Sequence, residues 1–273
     1  MRYKQQFDYN CLPLNLPMLA DSDQNIAALL LAAGRGERMR PLTDHTPKPL
    51  LTVHGKSLLQ WRMEALLRGG FQRSVINTAW LGELIEAQIG ASFSAADCST
   101  APMQLAYSRE GQDFGQALET AGGISRALPL LGEVFWVMAS DIYAPDFVFD
   151  PQDVQHFLNS DMLAHIWLVP NPGHNPAGDF GLEESSGLAL NTPKDSGQPR
   201  FTFSTVGLYR RALFLPPWCD TPAGNPQGAC AALAPLLRAA MDQQRVSAAL
   251  YTGAWTDVGT PERLAFLNAE GQA

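Results

Sequence analysis

IAALLLAAGRGERMRPLTDHTPKPLL, residues 26 to 51, sets the reading of the chain. Ile26 to Ala33 is an unbroken apolar run, the pattern of a strand buried on both faces of a parallel sheet. The run passes directly into a turn that carries Gly34, Gly36, Arg35, Arg38 and Arg40, followed by Lys48 between two prolines. Glycines let a backbone approach a ligand and turn its amides toward phosphate oxygens. Arginine adds a planar donor fork and lysine a compact charge. In open α/β sheets such a turn, at the carboxyl end of a strand, is where ligands bind. Two common phosphate loops do not match: the dinucleotide fingerprint needs glycine where Met39 stands, and the P-loop needs Gly-Lys-Ser/Thr.

Downstream, strand and helix patterns alternate. Leu58 to Leu67 spaces its apolar residues along one helix face and stops at Gly69-Gly70. Strand-like segments at 74–78, 104–107, 134–139 and 163–169 are separated by helical ones at 81–89, 122–131 and 153–158. This alternation predicts a Rossmann-like α/β fold with a doubly wound, mostly parallel sheet. Residues 171–200 are rich in Gly, Pro, Asn and Ser, and read as a small inserted antiparallel subregion with strands at 180–183 and 187–190. A strand at 201–209, a helix at 233–241, a strand at 246–251 and a helix begun by Thr260-Pro261-Glu262 complete the chain. Residues 1–25 read as an irregular N-terminal extension, and 26–273 as one domain.

The chain has 273 residues, a formal net charge of −8 and only 17% charged residues. A net negative charge disfavours nucleic acid and anionic membranes as partners, while a phosphate-bearing small molecule needs only local cations. Cys11, Cys98, Cys219 and Cys230 show no C-x-x-C pair, so neither a zinc site nor a disulfide framework is expected, in keeping with a reducing cytoplasm. The first residues lack a signal-peptide pattern, and no segment has the ~18 apolar residues of a membrane span.

The string LAAGRGERMRPLTDHTPKPL resembles the signature L-A-A-G-x-G-(S/T)-R-x-x-P-L-T-x-x-x-P-K-P-L of the sugar-1-phosphate nucleotidyltransferases, departing from it at Glu37. The resemblance runs from about Ile26 to Leu267. Its subfamily flavour is that of the N-acetylmuramate-1-phosphate uridylyltransferases, carried by INTAWLGELIEAQIG, LETAGGI, NPGHNPAGDFGL, FTFS, LAPLLRAAM and WTDVGTPERL. The resemblance implies transfer of a nucleoside monophosphate from UTP to a sugar 1-phosphate, with Mg²⁺ as cofactor and pyrophosphate released. It leaves open other specificities, such as GTP with mannose 1-phosphate, and a non-catalytic nucleotide-sugar-binding regulator. A monomer or small homo-oligomer is expected. The short stretch after WTDVGTPERL predicts no appended hexapeptide-repeat domain.

Carried over position by position, the resemblance assigns Arg38 and Lys48 to catalysis, gripping the triphosphate and neutralising charge. Leu31, Ala32, Ala33, Gly34 and Gly36 would border the nucleotide, as would Glu110, Thr120 and Gly122. Asp141 follows the buried run VFWVMA, so it should stand at a strand's carboxyl end. Asp257 interrupts the chain before the last helix. Two carboxylates meeting at one point suit Mg²⁺, which binds one or two carboxylates together with phosphates and waters. The resemblance places both on that metal, and Asp179 and Ser204 in the sugar pocket. The Glu-Lys-Pro element that many relatives use for the sugar phosphate is missing, with Lys194 and Arg200 as weak substitutes. His174 is a candidate sugar contact.

Overall fold

A computed structural model of the protein describes residues 26–95 and 101–270. The N-terminal extension, Cys11 and Cys98 lie outside the described residues.

Along the chain the elements are β1 (Ala27–Leu31), β2 (Thr52–Val53), β3 (Lys56–Ser57), α1 (Leu58–Arg68), β4 (Arg73–Thr78) and α2 (Gly82–Ile89). Then follow β5 (Ser92–Phe93), β6 (Met103–Arg109), α3 (Glu110–Phe114), α4 (Glu119–Ala127), β7 (Val134–Ala139) and β8 (Ile142–Tyr143). The chain continues through α5 (Pro151–Leu158), β9 (Ala164–Val169), β10 (Gly181–Glu183), β11 (Leu188–Leu190) and β12 (Thr202–Arg210). It closes with α6 (Leu233–Asp242), β13 (Val246–Leu250), β14 (Thr256–Asp257) and α7 (Pro261–Glu270).

Ten strands form one sheet in the order β10-β11-β13-β9-β12-β7-β1-β4-β6-β5. β7, β1, β4 and β6 are parallel neighbours, and β9 and β13 run in the same sense. β12, β11 and β5 oppose them, so the sheet is mostly parallel with antiparallel insertions. The inserted subregion is the hairpin β10–β11 at one edge.

Alternation along each strand divides the core into two layers. Ala28, Leu30, Ile76, Trp136 and Met138 pack with Leu59, Met63 and Leu66 of α1, Ile85 of α2 and Phe157 of α5. Leu29, Val75, Phe135 and Val137 point to the other face, against Ile124 of α4 and Leu237 and Met241 of α6. Helices on both faces explain why β1 reads as continuous apolar sequence. Local signals set the helix ends: Ser57 and Gln60 form a capping box at α1, and Asp150 caps α5 through the Gln152 N–H.

Because β1 pairs with β4 on one side and β7 on the other, the strand order reverses at β1. A crevice is expected at that point, beyond the strands' carboxyl ends. A third, smaller core closes it from the side. There Met39, Leu51 and Val53 of the glycine-turn segment pack on Val258 and Leu267 near the carboxyl end. Each such buried side chain contributes roughly 1.5–3 kcal/mol, and together they bring Arg38 to the Asp257 turn. Among the described residues, no helix is long and apolar enough to cross a membrane.

Candidate active site

The crevice holds a cavity of about 240 Å³. Its lining includes Leu31, Ala32, Ala33, Gly34, Lys48, Glu110, Thr120 and Asp141, which the sequence had placed together. A Cβ built on Gly34 meets nothing within 4 Å, so its backbone lies open to the cavity. Gly36 serves the turn rather than the lining. It sits at φ 68°, and a Cβ there would come within 3.0 Å of Thr43 Cγ2 and 3.3 Å of Lys48 Cβ. Thr43 closes the turn by donating its hydroxyl to the Gly36 carbonyl.

The three arginines of the turn divide into two kinds. Arg35 is spent on structure: it donates to the Thr43 carbonyl and to Asp44 Oδ1, and its guanidinium lies 3.9 Å over the Trp80 ring. Arg40 pairs with Asp44 as well. The Arg35 hydrogen bond is the largest influence on the Asp44 carboxyl, which is held below the usual carboxylate range. Arg38 is exposed and has neither ion pair nor hydrogen bond among the described residues. Glu37 points to solvent with Arg35 and Arg40 nearby, so its departure from Ser or Thr leaves the turn intact.

Lys48 is buried, and its Nζ donates to Asp141 Oδ2 at 2.6 Å. Asp141 follows β7, whose end is tied to β1: the Ser140 hydroxyl and amide both donate to the Leu31 carbonyl. The two metal candidates are brought side by side by the short ribbon β8–β14, in which Asp257 opposes Ile142 and the Val258 N–H donates to the Asp141 carbonyl. Arg263 Nη1 grips both Asp257 oxygens, at 2.7 and 2.6 Å, and His174 Nε2 lies 2.9 Å from Oδ1. His174 thus reaches Asp257 from the loop before β10. Gly259 keeps this corner open: a Cβ there would lie 2.9 Å from Asp257 Oδ2 and 3.5 Å from Arg38 Nη2. Two carboxylates carried on or beside neighbouring strands are oxygen donors of the kind a hard divalent cation takes, its remaining ligands coming from phosphates and water.

On the other wall, Asn77 is a residue that sequence reasoning missed. It stands at the end of β4, accepts from the Ala32 N–H at 2.7 Å and donates to Glu110 Oε1 at 2.6 Å. Glu110 Oε2 accepts from the Leu118 N–H. A polar residue closing an otherwise apolar strand (SVINT) was the available signal. Burial raises the Glu110 carboxyl above its usual range, offset in part by the Leu118 and Asn77 hydrogen bonds. The native state therefore favours the proton, and the stability linked to this group is full below the ordinary glutamate range. It declines as pH rises toward the raised native value. Asn77→Ala would strand the buried Ala32 amide and one Glu110 oxygen. The expected cost is roughly 2–4 kcal/mol of unfolding free energy, read by chemical denaturation; an unchanged midpoint would contradict this network.

Three positions lie elsewhere than the sequence suggested. Gly122 is turned from the cavity, because a Cβ there would meet the Ala229 carbonyl at 2.5 Å; its smallness serves packing against the 229–231 loop. Asp179 accepts from the Phe203 N–H and from Asn175, and Ser204 is buried with its hydroxyl taking the Val206 N–H. Their neighbours Phe180 and Thr205 line a second cavity instead. Arg200 is committed to the Asp179 carbonyl, while Lys194 is exposed. α4 begins at Glu119 without a side-chain cap, so Thr120 is a cavity residue rather than a helix cap.

A glycine turn after a central parallel strand, a lysine facing it and paired carboxylates at the switch point define an enzyme that handles nucleotide phosphates. The chain belongs to the nucleotidyl transferase family, which its residues 27–184 match. It is 47% identical, over 87% of its length and 94% of the relative's, to the N-acetylmuramate alpha-1-phosphate uridylyltransferase of Neisseria meningitidis serogroup B. It is 32% identical to the Caulobacter vibrioides protein of the same name, over 86% of this chain and 92% of that one. Its fold matches the inositol-1-phosphate CTP transferase of T. maritima with a TM-score of 0.62, covering 91% of this chain and 98% of that one at 18% identity. Nucleotidyltransferases of this family generally use a divalent metal.

Proposed function

We propose that the protein is a cytoplasmic, Mg²⁺-dependent uridylyltransferase. It couples UTP to N-acetylmuramate 1-phosphate, forming UDP-N-acetylmuramate and pyrophosphate for peptidoglycan recycling. The observation that carries this reading is the 47% identity along 87% of the chain to the Neisseria uridylyltransferase. The geometry of the cavity supports the same chemistry.

The open backbone at Gly34 and the small Ala32 and Ala33 let the nucleoside lie against the chain. Glu110 and Asn77 stiffen that wall through their mutual hydrogen bond. Lys48 and Arg38 hold their charges against the triphosphate from two sides. The sugar-phosphate oxygen, already ionised, attacks the α-phosphorus in line; its new P–O bond forms as the bond to the β-phosphate oxygen breaks. No general base and no covalent enzyme intermediate are required, and catalysis rests on positioning and charge neutralisation. Asp141 and Asp257 would hold Mg²⁺, which when bound neutralises developing phosphate charge.

The test is a pyrophosphate-release screen of four nucleoside triphosphates against a panel of sugar 1-phosphates. UTP with N-acetylmuramate 1-phosphate is expected to give the highest kcat/KM. Turnover of mannose 1-phosphate with GTP, and none with N-acetylmuramate 1-phosphate, would overturn the substrate assignment.

A further inference from the structure

Arg38 and Arg263 lie far apart in sequence, yet they converge on one point beside Asp257. A Cβ built on Gly259 would lie 3.0 Å from Arg263 Nη1 and 3.5 Å from Arg38 Nη2. The missing side chain of Gly259 leaves that space open between the two guanidiniums. Their meeting is built into the packing. Met39, next to Arg38, is buried in the same small core as Leu267, one turn of α7 beyond Arg263. Asn268 ties the two segments together again, donating to the Thr52 carbonyl and accepting from the His54 N–H.

Arg263 spends only one corner of its guanidinium on protein contacts. Nη1 donates to both Asp257 carboxylate oxygens, at 2.7 and 2.6 Å, and to the Asp257 carbonyl at 3.3 Å. Nη2 and Nε have no partner among the described residues, and neither is sealed from solvent. Arg38 is exposed and likewise unpaired among those residues. Glu262, the acid beside Arg263, is engaged by Thr260 and by its own amide. Two guanidiniums and one carboxylate therefore leave a net positive charge at this point. Like charges brought together repel, and the arrangement becomes favourable when an anion with several oxygens lies between the two forks.

The surroundings say which anion that is. Lys48 and Asp141 line the nucleotide cavity, and the Asp141 carbonyl accepts from the Val258 N–H, next to Asp257. The arginine pair thus stands just beyond the cavity on its Asp141 side. A triphosphate whose nucleoside lies against Ala32 to Gly34 would pass Lys48 and end there. Given the reading of the chain as a transferase that releases pyrophosphate, we infer that Arg263 is a second pyrophosphate-binding residue. Its free Nη2 and Nε, together with Arg38, donate to the non-bridging oxygens of the β- and γ-phosphates. As the bond from the α-phosphorus to the β-phosphate oxygen breaks, its electron pair leaves with pyrophosphate, and the two arginines neutralise that charge. Asp257 thereby has a second task, which is to aim Arg263.

The test is calorimetric titration of the wild type, Arg263→Lys and Arg263→Gln with inorganic pyrophosphate at several Mg²⁺ concentrations, alongside thermal unfolding. Lysine can repeat a single-nitrogen grip on Asp257 but offers no fork beside it. Arg263→Lys should therefore hold the thermal midpoint and yet bind pyrophosphate roughly tenfold more weakly, the scale of one hydrogen bond to a charged group. Arg263→Gln should lose at least as much. The loss should persist at saturating Mg²⁺, with KM for UTP raised and KM for the sugar 1-phosphate unchanged. Wild-type affinity in Arg263→Lys would overturn the inference, because Arg263 would then serve Asp257 alone. Recovery on raising Mg²⁺ would overturn it as well, since the effect would then run through the carboxylate. Wild-type protein that neither binds nor releases pyrophosphate would count instead against the function itself.

Discussion

Asp141→Asn and Asp257→Asn should each lower kcat by roughly 100-fold or more, the scale seen when one charge-stabilising group is removed at a reacting centre. The physical reason is the same for both: an amide is a weak ligand for a hard cation and carries no charge to hold it. The fold should survive. β8 and β14 are joined through main-chain bonds, and the Val258 amide donates to the Asp141 carbonyl whatever the side chain. Asp141→Asn does remove the ion pair of Lys48, but the Asp141 side chain is 35% exposed. The Asn amide oxygen can still accept from Lys48 Nζ, but the buried lysine loses its counter-charge, so a cost of roughly 1–3 kcal/mol is expected. The measurement is steady-state pyrophosphate release over a range of Mg²⁺ concentrations, together with thermal unfolding. Near-normal turnover in both variants would remove the carboxylates from the catalytic assignment.

Arg38→Lys is the second change with a large expected effect. Arg38 has no partner among the described residues, so its replacement should leave stability within the small range typical of surface changes. The charge is retained, yet the planar fork that can hold two phosphate oxygens is lost. A reduction in kcat/KM worth about 2–3 kcal/mol is expected, measured with UTP as the varied substrate. Arg35→Lys provides the contrast. Arg35 is engaged by Thr43, Asp44 and Trp80, so its loss should register first as a lower thermal midpoint. If Arg38→Lys retains normal kinetics, Arg38 is a surface charge and nothing more.

Much of the site lay within one continuous segment and was therefore legible in the chain. Leu31 to Gly34 and Lys48 are joined by a loop whose glycines and prolines state its geometry locally, and Asp141 follows a strand too apolar to be anything but buried. The residues that escaped notice act through contacts distant in sequence. Asn77 matters because it links Ala32 to Glu110, 45 and 33 positions away. Trp80 matters because it lies under Arg35; His174, a candidate sugar contact in the sequence, meets Asp257. Gly122 was misplaced since a small residue looks alike whether it makes room for a ligand or for the 229–231 loop.

By itself, the sequence determined most of the longer strands and helices, since these follow from apolar period, caps and glycines that act over a few residues; the short β2, β3, β5, β8, β14 and α3 were not read from it. It also placed a glycine- and arginine-rich turn at the end of β1. Only the tertiary structure decided the order of the strands, the opposing direction of β12, and the β8–β14 ribbon that carries Asp141 and Asp257, a pair the resemblance had already put together. It alone decided that Thr205 and Tyr209 border a second cavity, in place of Asp179 and Ser204. Strand order and bulge position depend on pairing partners far along the chain, and a shift of one residue turns a side chain to the other face of a sheet.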